Sequence, residues 1–181
     1  MRFTDAGLPG AYLVEEERNL DERGWFARTF DIDEFRAAGL ELTVAQSSVS
    51  WNVRRHTLRG LHLQLAPHEE RKLVRCTRGT VFDVLVDLRV GEQTFGRWVA
   101  HRLDAASSRG LYVPPGVAHG FLTLEDDTEV QYQISVPYEP SAASGVRWDD
   151  TDLAIAWPAE PQVISERDRS LPELRSLRLV E

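Results

Sequence analysis

The sequence predicts a mainly β protein, an antiparallel sandwich or barrel carrying a few short helices. Two observations support this. β-branched and aromatic runs recur about every ten residues, separated by Gly, Pro, Asp or Ser, which is the spacing of an all-β fold and not of alternating strands and helices. Only one short segment reads well as a helix.

That segment is DIDEFRAAG, residues 31–39. Asp31 or Asp33 can cap it, Phe35 faces inward, and Gly39 supplies the stop. The run RGLHLQL follows at 59–65. As a strand it puts His62 and Gln64 on one face and Leu61, Leu63 and Leu65 on the other. Either the leucines pack between sheets and the polar pair faces a cavity, or the reverse. KLVRC and TVFDVLVDL are strands joined by a tight turn at Arg78-Gly79. Then come TFGRWVAHRL, GLYVPP, GFLTLE and EVQYQISV. In the last of these Tyr132 shares a face with Val130, Ile134 and Val136, so its hydroxyl needs a partner. The charged stretch from Ser165 to Leu177 has helical character that Pro172 interrupts. Neither repeat nor linker divides residues 1–181, so one domain is expected.

Bulk properties narrow the function. With 181 residues, 42% hydrophobic and 28% charged, the composition is that of a globular domain. A formal charge of -8 excludes a general nucleic-acid or membrane-surface binder, which needs a broad positive field. A few local arginines can still hold a small anion. Cys76 is the only cysteine, which excludes an intrachain disulfide and a cysteine-based zinc site. The opening MRFTDAGLPG has no apolar run of signal-peptide length, and a soluble cytoplasmic protein is the expectation.

Three segments carry chemistry: Leu58 to Gln64, Lys72 to Arg75, and Pro114 to Phe121. The third has the P-x-G-x-x-H spacing of the second cupin motif, which turns a strand and points His119 into a small β-barrel. The expected fold is therefore a cupin-type antiparallel β-barrel, or jelly roll. The first cupin motif supplies H-x-H and a glutamate for a divalent metal. Here Gln64 replaces the second histidine, and an amide is a poor partner for a transition metal beside imidazoles. Glu69 or Glu70 lies within reach of such a site, but the donor set leads us to expect no metal. Read alone, His119 is a hydrogen-bonded barrel histidine and Asp168 a solvated surface charge.

Together the segments resemble the dTDP-4-dehydrorhamnose 3,5-epimerase family of deoxysugar biosynthesis. The resemblance runs from Asp21-Glu22-Arg23-Gly24 through RGLHLQ, KLVRC, TFGRW and PPGVAHGFLTL to Gly145-Val146-Arg147-Trp148 and Ile155-Ala156-Trp157-Pro158. RGLH, KLVR and AHGF in that order are specific jointly. The resemblance implies a cofactor-free isomerase acting on a nucleotide-linked 4-keto-6-deoxyhexose. The ketone acidifies the neighbouring C–H bonds, a base removes a proton to give an enolate, and an acid returns one to the opposite face. It implies His62 as base, Asp168 as the carboxylate orienting it, Tyr132 as acid, and Lys72 near the ketone oxygen. Arg23 and Arg59 become diphosphate contacts, His119 a sugar-pocket residue, and Tyr138 an aromatic beside the nucleobase. Gln46, Phe26 and Arg169 are further substrate contacts. Phe26-Ala27-Arg28 places arginine where the family reads F-x-E, so Arg28 enters the nucleotide site. The resemblance also implies a homodimer in which residues 1–45 cross to the partner. The competing readings are a 3,4-ketoisomerase on the same fold, separated by the product's ketone position, and a metal-binding cupin without epimerase activity.

Overall fold

The computed structural model describes residues 1–107 and 109–178. In chain order the elements are β1 (Arg2–Asp5), β2 (Tyr12–Glu15), β3 (Arg18–Asp21), β4 (Gly24–Ala27), α1 (Ile32–Ala37), β5 (Gln46–Asn52), β6 (Leu58–Gln64) and β7 (Lys72–Arg78). Next are β8 (Thr80–Asp87), β9 (Trp98–Asp104), β10 (Gly110–Val113), β11 (Val117–Thr123), β12 (Thr128–Ile134), β13 (Ala143–Gly145), α2 (Glu166–Arg169) and a 3₁₀ turn at Leu174–Ser176. The expected helix is present, and Asp31 caps it by accepting the Asp33 and Glu34 amides. Each β run named from sequence forms a strand.

Two antiparallel sheets result. One has the order β1-β2-β10-β7-β12-β5, the other β13-β6-β11-β8-β9. Strand β3 pairs only with β4, as a separate hairpin. The turn at Arg78-Gly79 carries the chain from one sheet to the other and does not close a hairpin between neighbours. Gly79 sits at φ +75°, where a Cβ would lie 2.5 Å from Thr128 Oγ1, so glycine is required there.

The inner faces hold the main core. Val74, Cys76, Leu111, Val113 and Val130 of the first sheet pack on Val81, Leu85, Leu103, Val117 and Phe121 of the second. Burial pushes the Cys76 thiol up to about 12, so the sole cysteine stays protonated and inert at neutral pH. Helix α1 covers the outer face of the first sheet, where Phe35 packs against Val14, Leu73 and Tyr112. Burying Phe35 completely contributes roughly 1.5–3 kcal/mol.

The alternation of β6 is resolved by a third layer. Leu61 and Leu63 face outward, together with Val84, Val86 and Ala118. The C-terminal segment covers them with Leu153, Ile155, Trp157 and Leu174. The leucines are thus buried without lying between the sheets, and His62 and Gln64 turn into the inter-sheet space. No described helix is long and apolar enough to cross a membrane.

Candidate active site

A cavity of about 410 Å³ opens at one end of the inter-sheet space, where the inner faces change from apolar to polar. Period-two alternation supplies most of its walls. From the first sheet come Ser48 and Ser50 on β5, Lys72 on β7 and Tyr132 on β12; from the second come His62 and Gln64 on β6 and His119 on β11. The pairing of His62 opposite His119 fixes both on the same face.

Arg59 also lines this cavity, although simple alternation puts it on the face opposite His62. The register explains it. His119 pairs with His62 and Phe121 with Arg59, so β6 spends three residues where β11 spends two. This bulge brings Arg59 and His62 to one side. It depends on Gly60, at φ +122°, where a Cβ would fall 2.5 Å from Gly120 Cα and 2.9 Å from His119 O. Arg59 is then aimed by Asn52, whose Oδ1 accepts from its Nε at 2.7 Å. Asn52 is itself buried and tied to the Thr128 carbonyl.

His62 Nε2 lies 2.7 Å from Asp168 Oδ1. Asp168 is not the solvated charge that its local sequence suggests, being only 4% exposed. The short helix α2, capped by Ser165 accepting the Asp168 amide, presses it against β6. Its second oxygen accepts the Gly60 amide at 3.3 Å. Burial by itself would raise the Asp168 carboxyl, but the His62, Gly60 and Ser165 hydrogen bonds hold it below the ordinary carboxylate value. An ionised carboxylate here accepts the Nε2 proton and leaves Nδ1 as the basic nitrogen of His62.

Tyr132 faces His62 from the other sheet. Its phenol is pushed up, chiefly by burial and secondarily by the Asp83 charge, while Ser50 and Arg59 pull the other way. The ring stands edge-on to His119 with centroids 6.1 Å apart. His119 is a bonded interior histidine that also lines the cavity: its Nε2 lies 2.9 Å from Asp83 Oδ2. The Lys72 ammonium pairs with Glu70 at 2.7 Å. Among the described residues no group of three or more His, Cys, Asp or Glu is arranged to hold a metal ion. Of Glu69 and Glu70, the two glutamates considered as ligands from sequence, the second is engaged by Lys72. Gln64 donates to the His68 and Pro137 carbonyls and accepts the Glu139 amide, fastening the segment that brings Tyr138 to the cavity mouth.

The remaining expected site residues stand elsewhere. Arg23, Phe26 and Arg28 do not line the cavity of their own chain. Arg23 is paired to Asp21 on the β3–β4 turn, Phe26 is 68% exposed, and Arg28 pairs with Asp31. Among the described residues their hairpin joins neither sheet as a strand, which leaves these three side chains outside the cavity. Gln46 meets the site indirectly, its Oε1 accepting the Tyr138 amide. On the single turn of α2 Asp168 points inward and Arg167 lines the cavity beside it, so Arg169 projects away. Arg167 lies 6.0 Å from the Tyr138 ring, in cation–π range. Sequence reading assigned no role to Arg167, Ser48, Ser50 and Asn52, and considered Glu70 only as a metal ligand. Alternation along QSSVSWN was a usable signal for the serines, whereas one helical turn gives none for Arg167.

Comparison with known proteins accords with this arrangement. The family profile described as dTDP-4-dehydrorhamnose 3,5-epimerase matches residues 5–176. A dTDP-4-dehydrorhamnose 3,5-epimerase of Methanothermobacter thermautotrophicus is 44% identical over 177 residues, covering 96% of this chain and 95% of that protein. A dTDP-4-dehydrorhamnose 3-epimerase of Streptomyces niveus is 39% identical, covering 93% of this chain and 82% of that protein. Among solved structures, the dTDP-4-dehydrorhamnose 3,5-epimerase of Bacillus anthracis, crystallised with TDP and pyrophosphate, superposes with a TM-score of 0.92 at 36% identity. That match covers 95% of this chain and 98% of the other. The mainly β architecture, the His-Asp pair facing a partly buried tyrosine, and these similarities agree: the chain belongs to the dTDP-4-dehydrorhamnose 3,5-epimerase family.

Proposed function

We propose that this chain is an isomerase that inverts C3, C5 or both in a nucleoside-diphosphate 4-keto-6-deoxyhexose, with a dTDP-linked sugar as the substrate. The observation that carries the reading is the placement of a carboxylate-oriented histidine on one sheet and a protonated tyrosine on the other, with a cavity between them. Inversion at a carbon requires a base on one side of the ring and an acid on the other. His62 Nδ1 takes the proton from the carbon beside the ketone, and the C–H electron pair moves onto the C4 oxygen as an enolate. The Lys72 ammonium stabilises that negative oxygen. The carbon then takes a proton from the Tyr132 phenol on the opposite face. Exchange with water returns His62 and Tyr132 to their starting states.

The nucleotide half of the substrate falls to Arg59, whose planar guanidinium suits a diphosphate, with Gln46 and Tyr138 at the cavity mouth and His119 against the sugar. Arg169, on α2, is a peripheral contact at most. Arg23, Phe26 and Arg28 act in a neighbouring subunit. The hairpin that carries them exposes Leu20, Trp25 and Phe26, and the edge strand β5 exposes Val49 and Trp51. Apolar side chains on a hairpin outside both sheets and on a sheet-edge strand are what a second copy would cover. A homodimer of single-domain subunits, soluble and cytoplasmic, is the resulting assembly. Mass measurement in solution should give twice the chain mass of 20.5 kDa, and a monomer would remove the role of the hairpin.

The test of the reaction is proton-exchange NMR with dTDP-, CDP- and GDP-linked 4-keto-6-deoxy sugars in deuterated buffer containing EDTA. Deuterium should enter at C3 or C5 of the dTDP sugar as inverted product accumulates. No exchange with any member of the panel rejects the epimerase. A product with its ketone moved to C3 identifies a ketoisomerase instead.

A further inference from the structure

We propose that Glu70 is a positioning residue that aims the Lys72 ammonium into the active-site cavity. For its kinetic consequence, though not for its geometry, this rests on the epimerase reading.

Lys72 is the only lysine in the chain; the twenty other basic side chains counted with it are arginines. The one side-chain ammonium therefore stands on the inner face of the catalytic cavity. An arginine fork fixes its own direction through its planar donors, but an ammonium is a compact point charge on a four-carbon stem and needs something else to fix it. Glu70 is placed to do this. It precedes β7 by two residues, so extended alternation puts its side chain on the same face as Lys72. The carboxylate reaches the ammonium at 2.7 Å, with the two side chains 11% and 9% exposed. A pair so withdrawn from water is screened far less than a surface pair, and its geometry is correspondingly firm.

The segment bearing Glu70 is held at both ends. Gln64 Nε2 donates to the His68 carbonyl at 3.0 Å, and the Arg71 amide donates to Ser135 Oγ at 2.8 Å. On its far side Lys72 Nζ donates to the His62 carbonyl at 3.4 Å. The ammonium is therefore strung between Glu70 and the strand of the proposed base, spanning from the first sheet to the second. Such a tether keeps the charge near the base, where the enolate oxygen forms.

The single lysine makes the test direct. Protein labelled with ¹⁵N-lysine gives one Nζ resonance, measurable without substrate. In the wild type its ammonium protons should exchange slowly enough with water to be seen coupled to nitrogen. Glu70→Gln and Glu70→Ala should both lose that protection, and Glu70→Asp should retain part of it. In the exchange assay, Glu70→Gln should lower kcat about ten- to a hundredfold, the scale expected when a catalytic group is misplaced, with KM within about twofold. An unprotected ammonium in the wild type, or unchanged protection in Glu70→Gln, overturns the proposal. So does an unaltered kcat, or a loss confined to KM, which would make Glu70 a substrate contact. A wild type inactive on every 4-keto sugar would reject the epimerase reading alone, since the nitrogen spectrum decides the pairing on the free protein.

Discussion

Replacing His62 with alanine is expected to lower kcat on the dTDP-linked 4-keto sugar by about 10²–10⁴-fold, the range that a positioned base contributes. Deuterium incorporation at C3 and C5 should fall in parallel, because the other carboxylate-bound imidazole on that wall is far less open to the cavity than His62, whose side chain is 33% exposed. The neighbouring imidazole, His119, has its Nε2 committed to Asp83 and is 4% exposed. The companion variant Asp168→Asn keeps the size of the side chain and removes its charge. An amide can offer its NH₂ to His62 Nε2 and favour the wrong tautomer, leaving the proton on Nδ1, where the base must be free. A loss of about 10²-fold or more with little change in KM is expected. Turnover retained in His62→Ala would reject the mechanism. Full activity in Asp168→Asn would reduce the pair to a structural contact.

The Asp168 variant has a pH signature as well. The folded carboxyl lies below its ordinary value near ~3.9, so ionisation is favoured by the fold. The stability it contributes is present above the unfolded value and is lost as the pH falls through the lower folded one. Asp168→Asn should therefore be less stable at neutral pH and lose less on acidification than the wild type, measurable by denaturant unfolding at several pH values.

Much of this arrangement was legible along the chain, for a definite reason. Alternation is a rigid property of extended backbone, so His62 with Gln64, and Tyr132 with Val130 and Ile134, were bound to share faces once those segments were strands. What alternation could not give was the bulge at Gly60, because an extra residue in β6 is visible only against its partner β11; Arg59 arrives in the cavity by that route. Nor could it say which face of β6 met the other sheet. Both faces are buried, the leucine face under Leu153, Ile155 and Trp157 from a segment without regular structure. Strands β1 to β5 and β13 went unread; five of these six are only three or four residues long, and QSSVSWN of β5 is mostly polar, so what order they have comes from their partners. Asp168 is the sharpest case. Its burial follows from one turn of helix docked on β6, and nothing in SERDR distinguishes it from a solvated run of charge; the family resemblance alone pointed to it.

Tyr132→Phe should separate the two halves of the reaction. The substitution keeps the ring that packs edge-on to His119 and removes only the phenol oxygen beside Ser50. His62 can still withdraw a proton and, after exchange with water, return one from the same side. Deuterium should therefore enter the sugar with retention of configuration, while inverted product falls by about 10²–10³-fold, within the range of a general acid. The environment of the phenol makes this division sharp. Burial, reinforced by Asp83, holds it above the ordinary tyrosine value near ~10, so the proton to be donated is present throughout the neutral and mildly alkaline range. The same shift means that the stability contributed by the protonated phenol is intact below the unfolded value near ~10 and lost as the pH rises through the folded one. Tyr132→Phe should lack that alkaline loss, which unfolding curves on the two proteins would reveal. Inversion proceeding at the wild-type rate in the phenylalanine variant would require another donor on the first sheet. Lys72, the other acid on that sheet's inner face, would then be the group to test, by asking whether Lys72→Met abolishes inversion when the tyrosine is already gone.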